Sequence, residues 1–197
     1  MILRNFFITA FIVLFTVSCG QPDKEWNSYG MDLNNQRFSR ITQINKTNVE
    51  TLEMAWQVQT GVPATFQSTP IVHEGVMFVS LPFNNVLALD AKTGNEIWRY
   101  EHDLNPNWKL CCGPSNRGVA LQGKQLFFGT VDARLISLNI KTGEKIWDIN
   151  VVKNNVETES ISDLDESDAN SDKQISGGTG VGISMAPVVY NGKVIIG

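Results

Sequence analysis

The chain has 197 residues, of which 42% are hydrophobic and 18% charged, an ordinary globular composition with enough apolar side chains for a sizeable core. Its formal net charge of -4 comes without any clustered basic run, which argues against a nucleic-acid partner.

Residues 1–18 read as a signal peptide. Arg4 precedes an almost unbroken apolar run from Phe6 to Val17, which is too short to span a bilayer comfortably. The run ends in Thr16-Val17-Ser18-Cys19-Gly20, which resembles a bacterial lipobox, with Thr16 standing where Leu, Val or Ile is usual. Cleavage before Cys19 and lipidation of that cysteine are expected, giving a periplasmic lipoprotein anchored in the membrane with residues 19–197 as its folded part. Cys111 and Cys112 then remain as an even, closable set in an oxidising compartment.

Beyond the opening segment the sequence repeats. Residues 88–98 (ALDAKTGNEIW) return as residues 137–147 (SLNIKTGEKIW), 49 positions later. A second element precedes each copy, around Gly75 and Gly123, and returns around Gly192. Two hairpins in series are predicted per unit. The first turns at Glu74-Gly75, Gln122-Gly123 and Asn191-Gly192, and the second at the Lys-Thr-Gly runs ending in Gly94 and Gly143. Val76–Val79 and, apart from its leading Gln125, the run Gln125–Phe128 are apolar at consecutive positions, as in strands covered on both faces. Four antiparallel strands that cannot bury both faces alone predict an all-β fold, a β-propeller of four-stranded blades. Trp98 and Trp147, placed identically in each unit, are expected to stack between adjacent blades, each burying about 150–250 Å². They mark the fold, and fold alone does not give function.

Between the repeats lies Cys111-Cys112-Gly113-Pro114-Ser115-Asn116-Arg117-Gly118. Adjacent cysteines have Cα atoms about 3.8 Å apart across a trans peptide, short of the usual disulfide range, so a bridge there closes a strained eight-membered ring. From the residues alone, two unrelated buried thiols are the alternative. Residues 153–176 form an acidic insertion almost without apolar side chains, predicted to be a solvated loop. Its Asp163 and Asp165 have the spacing of a calcium loop, but the Gly and Glu that such a loop needs are replaced by Asp168 and Gln174. His73 and His102 have no ligand or triad spacing around them and are expected to be surface or loop residues.

The vicinal cysteines followed by Asn116-Arg117-Gly118, set between two tryptophan units, closely resemble the quinoprotein alcohol and methanol dehydrogenases, β-propeller enzymes that use pyrroloquinoline quinone (PQQ) and calcium. The resemblance extends over Trp26–Asp32, Arg37–Val49 and Ala55-Trp56, and so over nearly the whole chain after the signal. It implies that Cys111 and Cys112 form a disulfide against one face of PQQ and that Arg117 bonds the reactive quinone oxygens, a role suited to a fixed cation with planar donors. Ser184 resembles the strand hydroxyl that bonds a PQQ carboxylate, and Gln67 stands where the family carries a PQQ-contacting Glu; an amide keeps a hydrogen bond there but not a charge. The resemblance further implies hydride transfer from an alcohol-type substrate to the quinone and electron delivery to a cytochrome c or membrane quinone. The calcium ligands and the catalytic base would lie beyond residue 197, and the chain is therefore expected to be an inactive N-terminal fragment. A competing expectation is a non-enzymatic propeller lipoprotein resembling the outer-membrane assembly scaffold, which shares the repeats and the lipid anchor but not the cysteine pair with Arg117.

Overall fold

The structure, a computed structural model, describes residues 25–104, 113–151 and 182–197. It contains two complete four-stranded antiparallel sheets and one hairpin. Blade 1 is β1 (Ile71–His73), β2 (Val76–Leu81), β3 (Asn85–Asp90) and β4 (Glu96–Tyr100), paired in chain order. Blade 2 is β5 (Ala120–Gln122), β6 (Gln125–Gly129), β7 (Arg134–Asn139) and β8 (Lys145–Asn150), paired likewise. A third unit begins with β9 (Val188–Tyr190) and β10 (Lys193–Ile195). The repeat read from the sequence is thus the blade.

Turn chemistry sets each register. At Glu74-Gly75 and Asn191-Gly192 both central residues have positive φ, the pattern of a type I′ hairpin whose twist suits two paired strands. The β5–β6 turn differs. Gln122 pairs with Gln125, so the loop is Gly123-Lys124 rather than Gln122-Gly123, and only Gly123 has positive φ, as in a type II′ turn. Sequence analogy had placed this loop one residue early because Gly occupies the first central position here and the second in the other two. In the β3–β4 turn, Asp90 Oδ1 accepts the amide N–H groups of Lys92 and Thr93 at 3.0 and 2.7 Å, and Asn139 does the same for Lys141 and Thr142 between β7 and β8. Hydrogen bonds from the Thr93 hydroxyl and amide hold the Asp90 carboxyl below its ordinary range.

Successive residues of a strand face opposite sides, so β3 divides its apolar residues between two cores. Val86 and Ala88 join Ile71, Phe78 and Trp98 against Val119, Leu126, Phe128, Ile136 and Leu138 of blade 2, forming the inter-blade core. Leu87 and Leu89 face the other way, under Trp56, Val58 and Val62 of the opening segment. Each fully buried Leu, Ile or Phe in these cores contributes about 1.5–3 kcal/mol. The opening segment is also tied to the sheet edge by Trp26, whose amide and carbonyl exchange hydrogen bonds with Val72 at 3.0 and 2.8 Å.

Trp98 docks onto blade 2 as expected. Its indole N–H donates to the Ile140 carbonyl at 3.0 Å, and its ring covers Gly143 so closely that a Cβ there would lie 2.6 Å from Trp98 Cε3. Trp56 does the same one unit earlier, donating to the Ala91 carbonyl at 3.2 Å and covering Gly94. Trp56 is therefore the first docking tryptophan, which repeat matching missed because no Lys-Thr-Gly turn precedes it. Among the described residues no helix is long and apolar enough to cross a membrane.

Candidate functional site

Three segments that lead into the first strands of the three units lie side by side: residues 67–70 before β1, residues 115–118 before β5, and residues 183–186 before β9. Main-chain hydrogen bonds join them, from Thr69 N–H to the Arg117 carbonyl at 3.0 Å and from Arg117 N–H to the Ser184 carbonyl at 2.9 Å. Close approach is possible because residue 118 is glycine; a Cβ there would lie 3.2 Å from Ala186 Cβ and 3.5 Å from the Thr69 oxygen. The Arg117 side chain is exposed, and its Nη1 donates to Ser184 Oγ at 2.7 Å. No carboxylate pairs with Arg117 among the described residues. A guanidinium whose described side-chain partner is a neutral hydroxyl retains donors for an anionic or electron-rich oxygen.

Two of the residues singled out in the sequence, Arg117 and Ser184, are thus in direct contact across 67 positions. Gln67 is exposed and lies two residues before Thr69, the point where the first segment joins Arg117. Next to it, Ser68 Oγ hydrogen-bonds to Ser80 Oγ at 3.0 Å. Cys111, Cys112, Cys19 and the acidic insertion 153–176 lie outside the described residues.

The segment holding Arg117 is built on buried amides. Asn116 is 1% exposed; its Nδ2 donates to the Gly129 carbonyl at 2.7 Å, and its Oδ1 accepts the Gly118 N–H at 3.0 Å. Ser115 Oγ donates to the Thr65 carbonyl at 3.3 Å, and the Pro114 carbonyl accepts Phe83 N–H at 2.9 Å. Asn84, fully buried in the short 3-10 turn Pro82–Asn84, accepts Val131 N–H at 3.1 Å. The Asn116 amide thus satisfies a buried N–H and a buried C=O together, whereas the buried Asn84 Nδ2 has no hydrogen-bond partner among the described residues.

His102 departs from expectation. It lies in the loop after β4, but its side chain is only 6% exposed, and Nε2 stands 3.0 Å from both oxygens of Asp132, itself buried in the β6–β7 turn. Burial would push the Asp132 carboxyl up, but hydrogen bonds from His102 and Thr130 outweigh it and hold the group below its ordinary range. The signal missed was positional: an acid in a strand–strand turn faces the loop leaving the previous blade. His73, at the end of β1, is half-buried with Nδ1 2.9 Å from Glu25. The cleft beside His102 is lined by Tyr100, Glu101, Asp103, Asp132, Arg134, Lys145 and Asp148, and within it Asp148 accepts from Arg134 at 2.6 Å and from Lys145 at 3.2 Å. No group of three or more His, Cys, Asp or Glu side chains that could hold a metal occurs among the described residues.

Residues 26–197 match the family described as "PQQ: Glucose/ethanol/alcohol dehydrogenase, beta-propeller domain". The quinohemoprotein alcohol dehydrogenase ADH IIB of Pseudomonas putida is 40% identical over 129 residues, which cover 64% of this chain and 19% of that protein. The crystal structure of the quinohemoprotein alcohol dehydrogenase from Comamonas testosteroni superposes with a TM-score of 0.73 at 32% identity, over 89% of this chain and 23% of the other. A europium-containing methanol dehydrogenase gives 0.69 at 27% identity, over 87% and 27%. The chain spans about a fifth of the length of the curated relatives it matches.

Proposed function

The chain belongs to the PQQ-type dehydrogenase β-propeller family, and from that membership we propose that it forms the N-terminal part of a PQQ- and metal-dependent dehydrogenase that oxidises an alcohol. The observation that carries the proposal is Arg117, an exposed guanidinium whose main chain is bonded to two neighbouring segments and which pairs with no carboxylate among the described residues. That donor set fits the electron-rich oxygens of a planar quinone cofactor.

When bound, PQQ supplies an o-quinone that accepts hydride from the alcohol carbon. Arg117 would hold it by donating N–H groups to quinone oxygens, and these donors grow stronger as negative charge develops there. Ser184 Oγ, which accepts from Arg117, keeps its own O–H available and would donate to a cofactor carboxylate. Gln67 would offer its amide where a charge is otherwise expected. Cys111 and Cys112 would form a vicinal disulfide against one cofactor face. Calcium is the metal we propose. Electrons would pass to a cytochrome or a membrane quinone. Lipidation at Cys19 would hold the protein at the periplasmic side of a membrane, a reading supported by the apolar run and the residues around Cys19.

The test is reconstitution of the full-length protein. Titrating the apoprotein with PQQ in the presence of calcium should give a saturable absorbance change, and adding an alcohol should then reduce an artificial electron acceptor. Saturable binding without alcohol-dependent reduction would reject the proposed reaction; no binding at all would leave a propeller scaffold.

A further inference from the structure

We propose that Asn116 is the positioning residue for Arg117, an inference that rests on the cofactor-binding role just proposed for Arg117. The Asn116 amide uses its two ends on opposite sides of its neighbour. Oδ1 accepts the Gly118 N–H at 3.0 Å, closing a ring around the backbone of residue 117, while Nδ2 donates to the Gly129 carbonyl at 2.7 Å. Gly129 is itself closely packed, since a Cβ there would collide with the Ile183 side chain. The Asn116 carbonyl accepts Ser80 Oγ at 3.4 Å, and Ser80 is 1% exposed.

The main chain of Arg117 is bonded on both sides, to Thr69 and to Ser184. With the Asn116 ring closed around it, the direction of its Cα–Cβ bond is set by the blades rather than by the side chain. Only the rotatable stem of Arg117 remains to be ordered when a ligand arrives, which lowers the cost of aiming its donors. Asn116 touches none of the reacting atoms in this account; it acts through Arg117.

No other side chain of similar size meets both demands. Aspartate keeps the acceptor for Gly118 but, when ionised, has nothing to donate to the Gly129 carbonyl. An Asn116→Asp protein should therefore behave like wild type only where its new carboxyl carries a proton, and lose function as pH rises through that titration.

The experiment is a double-mutant cycle in the full-length protein, using PQQ as the titrant for the apoprotein and an alcohol for turnover. Asn116→Ala should weaken PQQ affinity severalfold and lower kcat about tenfold, with KM for the alcohol within about twofold. The same change in an Arg117→Ala background should alter affinity and kcat by less than about twofold, because the group it positions is gone. If Asn116→Ala does not accumulate as folded protein, Asn116→Asp replaces it in the cycle, and its loss of PQQ affinity with rising pH should vanish in the Arg117→Ala background. Equal losses in both backgrounds would make Asn116 a purely structural residue, and wild-type affinity and kcat in the single variant would likewise overturn the proposal. An Arg117→Ala protein with unchanged PQQ affinity and kcat would instead sink the reading of Arg117 on which the inference rests.

Discussion

Blades 1 and 2 repeat one another down to their irregularities: the β3–β4 register slips between Ala88 and Leu89, and the β7–β8 register slips between Ser137 and Leu138. They differ in what surrounds these equivalent positions. Ala88 and Ser137 face the tryptophans of their own blades, Trp98 and Trp147. Ala88 is apolar, whereas the Ser137 hydroxyl is buried with no hydrogen-bond partner among the described residues. The turns between the second and third strands differ too. In blade 1 it is the 3-10 turn Pro82–Asn84; in blade 2 it carries Asp132, which reaches back to His102 in the loop leaving blade 1. Local sequence fixes the hairpins, and the contacts between units decide what each hairpin contributes.

The largest expected effect tests the docking contact. Gly143→Ala would place a Cβ 2.6 Å from Trp98 Cε3 on a backbone with φ of 74° in its blade 1 counterpart and 72° here, so it should destabilise the full-length protein by at least about 1–3 kcal/mol in denaturant titration. Gly192→Ala shares a positive φ of 73° but meets nothing within 4 Å, and should cost clearly less. Equal losses at Gly143 and Gly192 would show that turn conformation, not tryptophan docking, is what the glycines serve.

A smaller effect should follow acidification. The Asp132 carboxyl sits below its ordinary range in the folded state, so the unfolded chain binds the extra proton first and stability falls as pH drops from about 4 through the folded value. Asp132→Asn should remove this share of the acid slope and cost about 1 kcal/mol near neutrality, because it disturbs a buried hydrogen-bonded pair. Parallel stability–pH curves for the two proteins in acid would contradict the assignment. The smallest effect is a gain. Ser137→Ala removes a buried hydroxyl without a described partner and restores the residue type of blade 1, and should stabilise by up to about 1 kcal/mol; a loss would mean that the hydroxyl is bonded after all.

The blade was legible in the sequence because its signals are short-range: turn glycines at fixed offsets, apolar runs and a tryptophan at the same place in each unit. Arg117 was legible because it sits in a compact motif, and the structure adds that it meets Ser184. The docking of Trp56, the two-ended bonding of Asn116 and the His102–Asp132 pair were not. Trp56 docks without a preceding repeat turn, Asn116 is defined by a bond to Gly129 in another strand, and His102 is paired across 30 residues. Such partners are brought together only when blades stack, and a single sequence carries no periodicity that announces them.

Arg117 as the donor to quinone oxygens is the centre of the proposed chemistry. The direct test is kcat for Arg117→Ala and Arg117→Lys in full-length, PQQ- and calcium-loaded protein oxidising an alcohol. We predict that alanine lowers kcat by about 10²–10³, as when one donor to a developing oxyanion is removed, and that lysine restores only part of it because a point charge lacks the planar donor geometry. Turnover by the alanine protein at the wild-type rate would contradict the account.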